Sequence, residues 1–420
     1  HVRGDRPIGE LIPEMTTPPA VVVAGHVIAL GAVRALGEAG IPTVVVRYRD
    51  DDIAQASRYA TRSIRVPHPE TSEDDFILAL ERLGPSVEGS PLFPASDESL
   101  VAIARHKDRL SHWYRVAAPD EAIVTRIIKK EHTYALADQI GVPAPRTVLV
   151  GSEGDLERHR DDFAFPCLAK PSQSHRYQER FGRRMRRVDT MDELVAAYRE
   201  AADGGIQMMM QELIPGEDRL GANYNSYRVA GSAPLEFTAA KIRSTPRSFG
   251  PPSVVVSQAI PELLEPGRRL LDALGYEGYS CTEFKRDPRD GIYKLMEVNG
   301  RFNLSSLLML RCGINVPALA YRHVMHGEVP RPIQAPEGLR WIDGTKDLMF
   351  GLPELARHPT SIGSFIEPYR RPHVFAVYDR QDLRPLAVRY RHLLGRAAAA
   401  VGQRLGRSLQ QGPRLHRSKA

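Results

Sequence analysis

Two carboxylates and an amide that could share a metal ion stand in YSCTEFKRDPRDGIYKLMEVNGRFN, residues 279–303. The apolar runs on either side of DPRDG, a turn composition, predict a β-hairpin. Period-two alternation puts Cys281 and Glu283 on one face of the first strand, and Tyr293, Leu295, Glu297 and Asn299 on one face of the second. Pairing Asp287 with Tyr293 sets Glu283 opposite Glu297. Facing acids repel unless a hard cation joins them, and Mg2+ (or Mn2+) fits an all-oxygen set. The alternative is a solvated hairpin face with two harmless acids.

Cations recur at the ends of other apolar runs. FPCLA reads as a buried strand that closes on Lys170 and Pro171, and a lysine there needs a counter-charge. The loop that follows carries Arg176, Arg180, Arg183, Arg184, Arg186 and Arg187 against Glu179. It is either a flap able to close on polyphosphate or a solvated basic loop. In IQMMMQELIPGED the methionines read as packing, and the chain turns at Pro215 and Gly216. Main-chain groups from Gln211 through Glu212 to Leu213 would suit an adenine, with Glu217 or Asp218 reaching ribose hydroxyls. EFTAAKIRSTPRSFG is a strand ending in Lys241 and Arg243, and Lys129 and Lys130 lie on a linker helix.

These segments need a scaffold. Residues 20–46 read as strand, helix and strand, a βαβ opening in which Gly40 and Pro42 end the helix. The alternation continues to about residue 120, which predicts a wound parallel sheet with ligands beyond the strand C-termini. Gly25 and Gly31 in GHVIALG miss the spacing of a dinucleotide fingerprint, so a nicotinamide site is not expected. The linker helix IVTRIIKKEHTYALADQIG then leads into alternating strands and helices up to about residue 330.

Taken in order, the segments resemble the ATP-grasp superfamily. EVNGRF matches its E-[IV]-N-x-R pattern, LAKP its lysine-ending strand and QELIPGED its hinge. FPASDES, KIRSTPRSFG and RCGINVPALAYRH are similar to the subgroup of carboxylate–amine ligases that resemble D-aspartate ligase. The resemblance implies an N-terminal α/β domain (20–120) after an extension (1–19), then an α+β ATP-grasp domain over 121–330 with subdomains 121–215 and 216–330. A C-terminal extension (331–384) and a basic helix and tail (385–420) would follow. It also implies roles. Lys130 and Lys170 would meet the α and β phosphates of ATP, Gln211, Glu212 and Leu213 the adenine, and Asp218 the ribose, with Glu217 competing. Lys241 would touch the γ phosphate and Arg301 the transferred phosphoryl, these two being the catalytic residues. Glu283, Glu297 and Asn299 would hold Mg2+. The Arg-rich segment 172–187 departs from the glycine-rich loop common in relatives.

The implied reaction phosphorylates a carboxylate and lets an amine displace the phosphate, giving an amide and releasing ADP. Such chemistry needs positioning and charge neutralisation more than a covalent catalyst. Arg243, Arg247, Arg311 and Asp97 are candidates for gripping a small amino-acid or peptide substrate. A bicarbonate-using carboxylase is the second enzymatic reading, weakened by the lack of a biotin-carrier segment. A non-catalytic nucleotide-binding scaffold is the third, and the full metal and arginine set argues against it.

Composition bounds the rest. The chain has 420 residues, 42% of them hydrophobic and 26% charged, which is ordinary globular composition. No apolar run approaches the roughly 20 residues needed to cross a bilayer, and a cytoplasmic protein with three reduced cysteines is expected. No HExxH pattern occurs among its histidines, so zinc is not expected. The net charge of +6 is uneven: residues 383–420 hold nine Arg and Lys and no acid, which leaves the rest at −3. Nucleic-acid binding is therefore not the core activity. A helix over 385–409, with Leu386, Leu393, Leu394, Val401 and Leu405 among arginines, would suit a peripheral membrane or partner contact; a plain terminal helix is the alternative. Homodimerisation is left open.

Overall fold

The computed structural model describes residues 17–172, 174–183, 185–245, 250–304, 306–357 and 362–410. Five parallel strands open the chain: β1 Ala20–Val23, β2 Thr43–Arg47, β3 Ala60–Arg65, β4 Ser90–Pro94 and β5 Tyr114–Val116. They lie in the order β3-β2-β1-β4-β5. β1 reads AVVV and is buried throughout, as a strand covered on both faces must be. The strand order reverses between β1 and β4, and the crevice beyond their carboxyl ends is where such a sheet receives ligands. There Ser96 caps the helix Asp97–Arg105 through a reciprocal bond with Ser99, which fixes Asp97 at the start of the first turn.

A smaller antiparallel sheet follows, with β6 Thr147–Val150, β7 Cys167–Pro171, β8 Arg186–Val188 and β9 Met208–Glu212 in the order β6-β9-β7-β8. This unit, the lid, has its own core of Val150, Leu156, Phe163, Val188 and Leu194, which Met208 and Met210 also join. The sequence reading of 172–187 as one basic loop is corrected here. The segment forms the helix Ser174–Phe181 and then β8, because Tyr177 and Phe181, one helical turn apart, supply an apolar face and Tyr177 buries fully. Of its arginines, Arg183 pairs with Glu200 and Arg187 with Asp189, while Arg184 lies outside the described residues.

The large sheet comprises β10 Gly221–Val229, β11 Ser232–Ser244, β12 Pro252–Ser257, β13 Gly278–Arg286, β14 Tyr293–Asn299, β15 Arg340–Ile342 and β16 His373–Phe375. Its order is β14-β13-β10-β11-β12-β15-β16, antiparallel except for the last pair. The segment read as an extension thus adds two strands to this sheet. Two cores run across both the N-terminal and the large sheet: one holds Val22 with Tyr279 and Trp341, the other Ile127 with Tyr224 and Leu295. Cys167, Cys281 and Cys312 are unpaired and buried. Among the described residues no helix is long and apolar enough to cross a membrane.

Candidate nucleotide and metal site

The hairpin of β13 and β14 sets Glu283 opposite Glu297, but by a different register from the one the turn suggested. Near the turn, Arg286 pairs with Tyr293 and Phe284 with Leu295; a bulge at Met296 then restores the Glu283–Glu297 pairing. The bulge also breaks the expected alternation. Leu295 turns into the core with Phe284 and Val298, while Glu297 and Asn299 keep to the other face. Asn299 Nδ2 lies 3.4 Å from Glu283 Oε1, and its Oδ1 accepts from Arg301 at 3.1 Å.

Each acid is met by a lysine from another element. Lys130 opens the helix Lys130–Gln139 and donates to Glu297 Oε2 at 2.7 Å. Lys241 crosses from β11 over β10 to bond Glu283. It can cross because residue 221 is glycine: a Cβ there would stand 2.7 Å from Lys241 Cδ. Desolvation by the surrounding protein would raise the Glu297 carboxyl, yet Lys130, aided by Lys170 and Lys241, holds it down at about 2. The same desolvation works to lower Lys130, and Glu297 more than offsets it, so that lysine stays charged. The side chains of Lys130 and Glu297 are 26% and 33% exposed, so the pair is paired but reachable.

Lys170 is buried on β7, donating to Tyr134 Oη at 2.9 Å and to Gln211 Oε1 at 3.0 Å. Burial pushes its ammonium down from the ordinary lysine range. Gln211 Nε2 donates in turn to Thr147 Oγ1 at 2.8 Å, and Tyr134 Oη to the carbonyl of Met296, the bulge residue, at 2.5 Å. Tyr134, absent from the sequence reading, thereby links the lid to the hairpin. Its signal was its place one turn after Lys130, on the same helix face.

Arg301 follows the strand and donates to both oxygens of Asp97 at 2.9 Å each. Gly300 makes this approach possible, since a Cβ there would lie 2.6 Å from Ile127 Cδ1 and 3.1 Å from both Leu100 and the Tyr276 hydroxyl. The switch point of the N-terminal sheet and the end of β14 therefore meet at one ion pair. Beside it opens a cavity of about 350 Å3 lined by Phe93, Tyr227, Tyr279, Phe302 and His323.

The hinge candidates separate. Gln211 sits in a strand paired on both sides and Glu212 N donates to Arg146 O at 2.8 Å, so Leu213 is the first of the three past the ladder. The Glu212 carboxylate is engaged by Arg289 of the hairpin turn. Lys285 donates to the carbonyls of Ile214 and Gly216 at 2.9 and 3.0 Å, another tie that the sequence did not signal. Glu217 pairs with Arg219 on the surface, whereas Asp218 acts electrostatically on Lys285.

Of the substrate candidates, Asp97 alone joins these groups. Arg243 is held by Asp347 and lies 4.4 Å from the Phe365 ring centre, and Arg311 is held by Glu38 and Asp379. Arg247 lies outside the described residues. No three His, Cys, Asp or Glu side chains cluster as metal ligands among the described residues, so the donor set that fits a cation is two carboxylates and an amide oxygen. These are hard oxygen donors, the type that suits Mg2+. Cys281, on the same face as Glu283, has its thiol pushed up to about 12, first by burial and then by Glu283, and is no nucleophile.

A lid sheet and a large antiparallel sheet behind a wound parallel domain, with lysines and acids on the faces between, define the ATP-grasp fold. No family model matches the chain. Its fold is shared with L-amino acid ligase from Bacillus licheniformis at a TM-score of 0.58 and 16% identity, covering 74% of this chain and 75% of that one. It is shared also with N5-carboxyaminoimidazole ribonucleotide synthetase in its ADP complex, at a TM-score of 0.62 and 12% identity over 81% of this chain and 87% of that one. In sequence the chain is similar to D-aspartate ligase of Enterococcus faecium (strain Aus0004), 27% identical over 256 residues, which are 57% of this chain and 59% of the relative. It is similar too to D-alanine–D-alanine ligase of Pseudomonas putida (strain GB-1), 25% identical over 272 residues, 63% of this chain and 74% of the relative. The match thus spans well under two thirds of D-aspartate ligase.

Proposed function

We propose that the chain is an ATP-dependent carboxylate–amine ligase acting on amino acids or peptides. The observation that carries this reading is the ring of Lys130, Lys241 and Arg301 around the facing acids Glu283 and Glu297, reached by Lys170 from the lid. A pure binder of nucleotide has no need of paired acids and an arginine at the far end of the phosphate path. The sequence likeness to D-aspartate and D-alanine–D-alanine ligases favours this reading over a carboxylase of the same fold.

Glu283, Glu297 and Asn299 would hold Mg2+, which when bound neutralises charge on the phosphates of ATP. Lys170 and Lys130 grip the α and β phosphates, and Lys241 the γ phosphate. Leu213 and its neighbours meet the adenine, and Asp218 is the better placed of the two acids for the ribose. A substrate carboxylate oxygen attacks the γ phosphorus, the bond to ADP breaks, and Arg301 balances charge on the phosphoryl in flight. An amine then attacks the carbonyl carbon of the acyl phosphate. Phosphate leaves, the nitrogen loses its proton to solvent, and an amide remains. The cavity beside Arg301, at about 350 Å3, is of a size for an amino-acid substrate and supports its approach from that side.

The test is release of ADP and phosphate from Mg2+-ATP with pooled L- and D-amino acids, with mass spectrometry on the same mixture. Pool-dependent release and a condensed product one water lighter than its parts are expected. AMP and pyrophosphate, or a carboxylated product that needs bicarbonate, would refute the proposal.

A further inference from the structure

Exposed apolar side chains of the described residues concentrate near one end of the chain. Leu348, Met349 and Leu352 stand exposed on the helix Gly344–Arg357, Ile362 and Ile366 on the helix Ile362–Arg370, and Leu394, 70% exposed, on the helix Arg384–Gln410. The spacings place the first three on one helical face and the next two on another. The helices adjoin. Phe365 of the second packs over Gly351 of the first, and Arg389 of the third donates at 2.8 Å to Asp343 Oδ1, just before the first begins.

Charge accompanies this surface. Between residues 384 and 396 the third helix carries Arg384, Arg389, Arg391 and Arg396 and no acid, and Arg384, Arg391 and Arg396 are exposed. The third helix has 27 residues, about 40 Å at 1.5 Å each, and its Leu386 and Val388 pack against the main core near its start. A second copy of the chain is a poor occupant, because a two-fold interface here would set two acid-free basic helices against each other. One surface meets both demands: anionic headgroups pair with the arginines, while the apolar side chains sink into the acyl boundary.

We infer that the helices Gly344–Arg357, Ile362–Arg370 and Arg384–Gln410 form a docking face for a membrane surface rich in anionic phospholipid. The face goes beyond the ligase reading and does not depend on it. The experiment is co-sedimentation of the full chain with vesicles of phosphatidylglycerol and phosphatidylcholine, or of phosphatidylcholine alone. Binding to the anionic vesicles that weakens as salt rises is expected. Leu348→Asp with Leu352→Asp, and separately Arg391→Glu with Arg396→Glu, should each lower partitioning about tenfold or more, while leaving the far-UV circular dichroism unchanged.

No binding by the folded wild-type chain overturns the inference. So does binding that the apolar pair leaves unaltered, since charge alone would then explain it. Sedimentation that finds a dimer which the Leu348→Asp and Leu352→Asp chain cannot form would assign the face to a second copy instead. Binding of anionic vesicles undiminished by both pairs of substitutions would place the membrane contact elsewhere.

Discussion

The lid and the body of this protein cohere by different means. The lid keeps Leu156, Phe163, Val188 and Leu194 in a core of its own, whereas the N-terminal and large sheets bury their side chains together in two shared cores. Among the described residues, polar contacts tie the lid to the body: Lys170 to Tyr134, Arg289 to Glu212, and Lys285 to the carbonyls of Ile214 and Gly216. Apolar burial is non-directional and large, so it fixes the body as one unit; hydrogen bonds net about 1 kcal/mol each, so a few of them hold the lid less firmly than the shared cores hold the body. The difference teaches where precision is needed. Glu283, Glu297, Asn299, Lys241 and Arg301 all sit on the fused body, while Lys170 comes from the lid.

The largest effect is expected where the body carries the chemistry. Glu297→Gln keeps the side-chain shape and removes the charge that faces Glu283 and Lys130, so turnover should fall roughly 100-fold or more with the far-UV circular dichroism unchanged, while melting comes somewhat earlier because Lys130 loses its charged partner. Steady-state ADP release checks it, and turnover near the wild-type value would remove Glu297 from the site.

The next test separates the two units by stability. Leu194 and Leu271 are each fully buried, one in the lid core and one in a shared core, and truncation to Ala costs about 3 kcal/mol at such positions. Leu194→Ala should lose amide protection only within 147–212, whereas Leu271→Ala should lose it in both the N-terminal and the large sheet. Loss of protection across the whole chain in both variants would mean that the lid has no independence.

Lys170→Ala probes the lid's share of binding. On the proposed function the ATP KM should rise about tenfold with a smaller fall in kcat, because Lys170 belongs to the lid and not to the body that carries the facing acids. Lys170→Met, which keeps the packing against Tyr134, should behave alike. A pure kcat defect would put Lys170 with the groups of the body and remove the functional difference between the two units.

The division between the units was only partly legible in the sequence. Periodicity gave the wound N-terminal sheet, and turn chemistry gave the hairpin, because both rest on local patterns of two or three residues. The facing of Glu283 and Glu297 was anticipated, but through a register that the bulge at Met296 makes unnecessary to hold along the whole hairpin. The helix Ser174–Phe181 was missed because six arginines masked the Tyr177 and Phe181 pair that buries it. The roles of Gly221 and Gly300 were illegible for another reason: each glycine is fixed by a side chain remote in sequence, Lys241 and Ile127 respectively. Tyr134 and Lys285 likewise act only through partners that the tertiary fold supplies.

Lys285 gives the smallest and most discriminating effect. Its ammonium donates to the carbonyls of Ile214 and Gly216, the residues through which the chain passes from the lid into the large sheet, and it comes from β13, the strand that carries Glu283. Burial lowers its proton affinity, with Asp218 partly restoring it, so holding an ammonium there has a cost and its removal is not ruinous. Lys285→Ala leaves two carbonyls that water can satisfy in an open seam, a net loss of about 1 kcal/mol. Spread over lid opening, that loss should raise the ATP KM about fivefold at most, and speed amide exchange in the lid while exchange in the shared cores stays as before. Should the shared cores loosen as well, Lys285 would be holding the body together, and the seam would not be the soft part of the molecule.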